Sequence, residues 1–215
     1  MKVIAVACVE DRSLVDEQIA KQTRQPDEIV VLVDTEPAQG IDERRKRIAE
    51  NQGLLQQLVS NSDADLVWQL EGDSVVDEDC LDKLIKRYME SPAVYSGVQV
   101  GRHGLYCLGA WHINADKTRL RSVDYRLHGL QEVQGMGLFC FIMDRLSYVS
   151  AYATWDGERW GPDVNFFLSS PIKKYVDMDL HVGHYYKGGV IRPTDAAVCN
   201  AEFLLVNNQW EFKQL

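Results

Sequence analysis

The residues best placed to do chemistry in this 215-residue chain are carboxylates that follow apolar runs. Val3 to Val9 runs into Glu10-Asp11, Glu28 to Asp34 (EIVVLVD) ends in an acid, and Leu66 to Leu70 runs straight into Glu71-Gly72-Asp73. A lone acid after a strand is ordinarily a turn former or a helix cap. Three of them on one rim repel each other unless positive charge sits among them. A divalent cation supplies that charge, and so does the basic run Arg44-Arg45-Lys46-Arg47. Hard carboxylate oxygens suit Mg²⁺ or Mn²⁺. Further along, Asp163 follows Gly161-Pro162 at the start of a helical pattern, where the helix dipole favours an acid. His181 and His184 stand near the end of an alternating segment, and Lys187, Gly188, Gly189 and Arg192 follow them as an expected mobile flap.

These groups need a scaffold, and the hydrophobic pattern predicts one. Val3 to Val9, Glu28 to Asp34 and Leu66 to Leu70 read as strands buried on both faces. Between them lie two helices. Ser13 and Asp16 have capping-box spacing and open the first, which turns Val15 and Ile19 inward. The second is longer, with Ile41, Ile48, Leu55, Leu58 and Val59 as its buried stripe. A third helix begins at Asp77-Glu78-Asp79 and carries Leu81, Leu84, Ile85 and Tyr88 at helical spacing. Alternation of this kind builds a parallel α/β sheet. Beyond Pro92, the segments Val94 to Val100, Leu105 to Trp111 and Leu138 to Met143 read as strands, and Asn114 to Gln131 as a polar surface excursion. Lys174 to Val182 alternates, with Val176, Met178, Leu180 and Val182 expected on one face. One domain over residues 1–215 is expected, with a nucleotide-fold-like half at 1–100 and a less regular half at 101–215.

The succession VIAVACVED, DEIVVLVD, a basic helix and LVWQLEGDSVVDEDCLDKL resembles family 2 glycosyltransferases of the GT-A fold, closely over about the first hundred residues and more loosely beyond. That resemblance implies a Rossmann-type α/β/α sandwich with a mixed, mostly parallel central sheet. It also implies an inverting sugar transfer from a nucleotide-diphosphate sugar, most simply a UDP-sugar. Glu71-Gly72-Asp73 stands where the family has Asp-x-Asp, so Asp73, with Glu71, would hold Mn²⁺ or Mg²⁺ on the diphosphate. His184 matches a further metal ligand, with His181 as the fallback. The donor nucleotide would lie against Val9, Glu10, Asp34 and an arginine of the following helix, Arg44 or Arg47. Gly135, in Gln134-Gly135-Met136-Gly137, would line the donor sugar if it is more than a tight turn, and Lys187 and Arg192 would clamp the diphosphate. Asp163 matches the family's general base, although Pro162 replaces the Glu that commonly precedes it. Trp155 and Trp160 are the expected acceptor-binding aromatics.

Composition narrows the alternatives. Twenty-three basic against 32 acidic residues leave a formal charge of −9, which argues against stable nucleic-acid binding. No apolar run reaches the length of a membrane span. The five cysteines lack CxxC spacing and read as reduced thiols of a cytoplasmic protein. Two other functions fit the same fold. A nucleotidyltransferase that makes an activated sugar would need a glycine-rich basic loop after the first strand, where this chain has Glu10-Asp11-Arg12. A non-catalytic nucleotide- or glycan-binding protein would tolerate the departures at Glu71 and Pro162.

Overall fold

The structure is a computed structural model that describes residues 1–101, 107–155, 160–186, 188–194, 198–206 and 209–215. Val3–Val9 (β1) leads through Ser13–Ala20 (α1) to Glu28–Val33 (β2), and Ile41–Ser60 (α2) leads on to Leu66–Leu70 (β3). Ser74–Val75 (β4) and Cys80–Glu90 (α3) precede Val94–Gln99 (β5). Then come Ala110–Ile113 (β6), Arg119–Ser122 (β7), Leu130–Val133 (β8) and Gly135–Met136 (β9). Cys140–Asp144 (β10) passes directly into Arg145–Ser150 (α4), followed by Pro162–Ser169 (α5) and the long strand Lys174–Tyr186 (β11). Gly189–Ile191 (β12), Ala201–Val206 (β13) and Gln209–Gln214 (β14) complete the order.

The central sheet runs β12-β11-β5-β10-β3-β1-β2, with β4 and β8 hydrogen-bonded to β11. Strands β2, β1, β3, β5 and β11 share one direction and β10, β12, β4 and β8 oppose them, so the sheet is mixed, with the long parallel strands in the majority. Strand β1 shows why its residues form this element. Ile4 and Val6 pack on one side with Leu55 and Val59 of α2, Tyr148 of α4 and Phe166 and Phe167 of α5. Val3, Ala5 and Ala7 pack on the other with Val15 and Ile19 of α1 and Leu81, Leu84 and Ile85 of α3. A strand covered on both faces has to be apolar throughout, and β1 is. Helices on both faces make the molecule an α/β sandwich.

The chain winds from β1 to β2 on one side and then crosses to β3 on the other. That reversal opens a crevice beyond the carboxyl ends of β1 and β3, the usual ligand position in open α/β sheets. Among the described residues no helix is long and apolar enough to cross a membrane.

Several expectations are corrected. Strand β2 is the edge of the sheet, and Ile29 and Val33 are about half exposed, at 50% and 48%. An apolar run reports strand propensity but not whether a neighbour lies beyond it. Arg12, not Ser13, sits at the cap position of α1. Asp11 accepts the Ser13 backbone N–H at 2.8 Å, while Asp16 pairs with Arg12. Ile41 and Leu58 of α2 are exposed, and its buried stripe instead includes Gln52 and Gln56. Residues 114–131 contain β7, part of a second, antiparallel sheet ordered β14-β13-β7-β6-β9. The expected strand Leu105 to Trp111 lies partly outside the described residues; its described part joins β6. In β11 a register shift between Asp177 and His181 transfers the apolar residues from one side of the sheet to the other. Val176 and Met178 pack with α5, whereas Leu180 and Val182 pack with α3. All five cysteines are unbridged, with Cys80, Cys107 and Cys140 buried.

The buried glutamines of α2 lock it to the sheet. Tyr148 donates its hydroxyl to Gln69 Oε1 at 2.8 Å and accepts from Gln52 Nε2 at 2.8 Å. Gln52 and Gln69 also exchange amide bonds at 3.0 and 3.1 Å. A buried network is stable only when every member is satisfied. Tyr148→Phe leaves two amide groups short of a partner and is expected to cost about 1–3 kcal/mol in urea unfolding. An unchanged midpoint would show that the network contributes no net stability.

Candidate active-site cleft

The turn after β3 is held from three directions. The Glu71 N–H donates to the Phe139 carbonyl at 2.7 Å, and Ser74 Oγ donates to the same oxygen at 3.0 Å. Its middle residue must be small, because a Cβ on Gly72 would lie 2.7 Å from Val9 Cγ1 and 3.1 Å from Val9 Cβ. Strand β4 then pairs antiparallel with β11, setting Ser74 opposite His184 and Val75 opposite Gly183. Gly183 is needed there too, since a Cβ would meet Val190 Cγ1 at 2.5 Å. The Tyr185 N–H donates to the Asp73 carbonyl at 2.7 Å, closing the turn against the long strand.

This pairing brings together two residues that are 111 positions apart. His184 Nε2 lies 3.1 Å from Asp73 Oδ2, and its Nδ1 lies 2.9 Å from the Val100 carbonyl oxygen. A carbonyl only accepts, so Nδ1 carries a hydrogen and Nε2 is turned toward the carboxylate. A neutral imidazole would then set a lone pair against a carboxylate oxygen. A proton or a shared cation removes that conflict, and an imidazole whose other nitrogen is fixed by a carbonyl is the usual form of a histidine metal ligand. The Asp73–His184 pair therefore fits a divalent cation. Among the described residues no group of three or more His, Cys, Asp or Glu is arranged as a metal site. Glu71 lines the same cleft. His181, the fallback, lies at the β11 bulge near Asp179 and not with Asp73.

The cleft spans about 1040 Å³ and extends from this turn across the ends of β1 and β2 to α2. Val9 and Glu10 line it, as do Arg44 and Arg47 of α2 and Tyr185 and Tyr186 of β11. Asp34 forms an ion pair with Arg47 and accepts from Asn51 Nδ2 at 2.7 Å. Arg47 also donates to the Glu36 carbonyl. The Asn51 hydrogen bond, helped by the Glu36 N–H and Arg47, holds the Asp34 carboxyl below the usual carboxylate range despite partial burial. Nearby, burial and then the Asp34 charge push the Cys8 thiol up to about 11, which disfavours its thiolate form. Sequence reasoning missed Asn51, although positions 44, 47 and 51 share one helical face and the spacing was there to be read. Among the described residues, seven carboxylate residues and two arginines line the cleft, an excess of negative charge that repels a phosphate.

The residues expected at the acceptor side divide. Asp163 is half-buried near the start of α5 and lies outside the cleft lining; burial raises its carboxyl above the ordinary range. Arg45 moderates that rise, and its guanidinium stands 4.6 Å above the Trp155 ring. Trp160 is a correction. It is buried with Leu120 and Val164 between α5 and the second sheet, so it is a core residue and not an acceptor wall. Gly135 is corrected as well. It lies in β9, where a Cβ would touch Ile113 and Val164, and it faces α5, not the cleft. Arg192 follows β12, which is hydrogen-bonded to β11, and its guanidinium is 3.7 Å from Asp77; the expected flap is a paired hairpin turning at Gly188 (φ 81°). Lys187 lies outside the described residues.

No protein-family model matches the sequence, and no curated protein does. Among solved structures, the chain is similar to A197 from STIV with a TM-score of 0.57 and 18% identity, over 90% of this chain and 91% of that one. Identity this low shows a shared fold alone.

Gly72→Ala drives a methyl group into Val9 and is expected to lower stability by about 1–3 kcal/mol. Adding Val9→Ala to the same chain should return most of that loss. If the double variant is no more stable than the single one, the close approach of the turn to β1 is not what selects glycine.

Proposed function

We propose that this chain is a metal-dependent, inverting glycosyltransferase that moves a sugar from a nucleotide-diphosphate sugar, most simply a UDP-sugar, to an acceptor hydroxyl. The observation that carries the reading is the Asp73–His184 pair, with its fixed tautomer, at the rim of an acidic cleft beyond the carboxyl ends of β1 and β3. Asp73 and His184 would hold Mn²⁺ or Mg²⁺, with Glu71 close by, and a carboxylate–imidazole pair suits Mn²⁺ the better of the two. When bound, the cation offsets the charge that develops on the leaving diphosphate.

The remaining roles belong to side chains. Asp34, kept ionised by Asn51 and Arg47, offers its remaining acceptor capacity to an N–H of the nucleobase or a hydroxyl of the ribose. Val9 and Glu10 form the floor beneath the nucleotide, and Arg44 faces its phosphates. Arg192, just after β12, would reach the diphosphate only by giving up its pairing with Asp77. Asp163 accepts the proton of the acceptor hydroxyl while that oxygen attacks the anomeric carbon. The bond from that carbon to the diphosphate oxygen breaks with both electrons leaving on the nucleoside diphosphate, so the anomeric configuration inverts. A carboxyl raised by burial is a better proton acceptor than one exposed to water.

Calorimetric titration of UDP should show binding that depends on Mn²⁺, with Asp73→Ala and His184→Ala each weakening it by about 10–100-fold. No binding with or without Mn²⁺, or unchanged affinity in Asp73→Ala, would remove the reading. For turnover, Asp163→Asn should lower kcat by about 10²–10⁴ while leaving UDP affinity unaltered. Because the Asp163 pKa is raised, the base loses its charge as pH falls through a midpoint above the ordinary carboxylate value of about 3.9. The acid limb of the kcat profile should therefore lie above that value and vanish in Asp163→Asn.

A further inference from the structure

Arg44 and Arg45 are consecutive on α2 and half-buried, yet among the described residues neither guanidinium makes a hydrogen bond or an ion pair. A helix turns about 100° per residue, so the two side chains leave α2 in different directions. Arg44 lines the cleft beside Arg47. Arg45 lies on the side of α5, with its Cζ 4.6 Å from the Trp155 ring centroid and its charge acting on the Asp163 carboxylate. No ion pair joins Arg45 to Asp163, so the guanidinium nitrogens and the carboxylate oxygens of the proposed base stand more than 4 Å apart, yet near enough for the charge of one to act on the other.

The Arg45 guanidinium lies over the Trp155 ring, within cation–π range. A cation–π contact uses none of its N–H donors as hydrogen bonds, and among the described residues they stay available to a ligand. A partly desolvated cation with unused donors is unfavourable until an anion satisfies it. The ring also immobilises the long side chain in advance, which lowers the entropy lost on binding.

We propose that Arg45, held on Trp155, is the anion-recognising part of the acceptor subsite, and that the acceptor carries a carboxylate or phosphate on the same molecule as the hydroxyl presented to Asp163. This rests on the glycosyl-transfer reading, which makes Asp163 the base. The gap between Arg45 and Asp163 then holds the acceptor, its anionic group on the fork of Arg45 and its hydroxyl on the carboxylate. An oxyanion matches the paired N–H donors of that fork, whereas a neutral sugar leaves them unmet. Arg44 has a different task, because it opens onto the nucleotide cleft.

Glucose 6-phosphate and glucose serve as probes, titrated calorimetrically into the 215-residue chain with and without saturating UDP and Mn²⁺. The phosphorylated sugar should bind at least about tenfold more tightly than glucose, and Arg45→Gln should cut that preference to below about twofold. Trp155→Leu should reduce it as well, and UDP–Mn²⁺ affinity should be unaltered in both variants. Arg44→Gln should keep the preference; if it abolishes the preference equally, general charge attraction is responsible and the proposal is overturned. Equal affinity of wild type for the two sugars, binding of neither, or a preference that survives in Arg45→Gln overturns it too. Should Arg45→Gln fail to fold, the wild-type contrast and Trp155→Leu decide. Failure of UDP and Mn²⁺ to bind wild type counts against glycosyl transfer itself, and the titrations without nucleotide read the anion preference separately.

Discussion

A two-residue strand, Ser74–Val75, pairs with the far end of β11, and that pairing sets an imidazole against a carboxylate. The cation-binding end of the candidate site depends on this contact. The Val100 carbonyl fixes the hydrogen on Nδ1 of His184, which turns Nε2 onto Asp73. The tautomer follows from backbone geometry and not from the side chains alone. Two glycines make the approach possible, Gly72 against Val9 and Gly183 against Val75 and Val190. Their role is the absence of a side chain where backbones must nearly touch.

The sheet supplies the rest by geometry. Its switch point lies between β1 and β3, so the acids after β1, β2 and β3 open onto one crevice. Such a rim would be self-repelling with water as its only company. The Asp34–Arg47–Asn51 cluster settles one part of it internally. Asp73 and His184 are arranged so that an added cation would settle another. Proposing a donor with a diphosphate follows from this division, because a hard cation between carboxylate and phosphate relieves both.

Helix α2 links the two sides of the proposed reaction. Arg44, Arg47 and Asn51 face the cleft, Arg45 lies over Trp155, and Gln52 and Gln56 reach into the core to hold the helix against Tyr148 and the backbone. A helix anchored by buried amides presents its arginines at fixed angles. Val164, Trp160 and Leu120 pack α5, near whose start Asp163 lies, against the second sheet.

Much of this was legible in the chain itself. Nearly continuous apolar runs ended by acids identify β1 and β3 and the Glu71-Gly72-Asp73 turn, because strands buried on both faces admit a polar residue only where, like Gln69, it finds buried partners. The helical spacing of Leu81, Leu84 and Ile85 identifies α3 for the same kind of reason. Other features depend on partners distant in sequence. Val176, Met178, Leu180 and Val182 alternate as if on one face, but a bulge exchanges their sides. Trp160 looks like a ligand-binding aromatic until the second sheet covers it, and Gln52 looks like a surface residue until Tyr148 meets it. The order of residues thus determines which strands and helices form, through local periodicity and burial. Which side chains meet across the crevice is decided by strand pairing and helix packing, whose partners lie up to 111 residues apart.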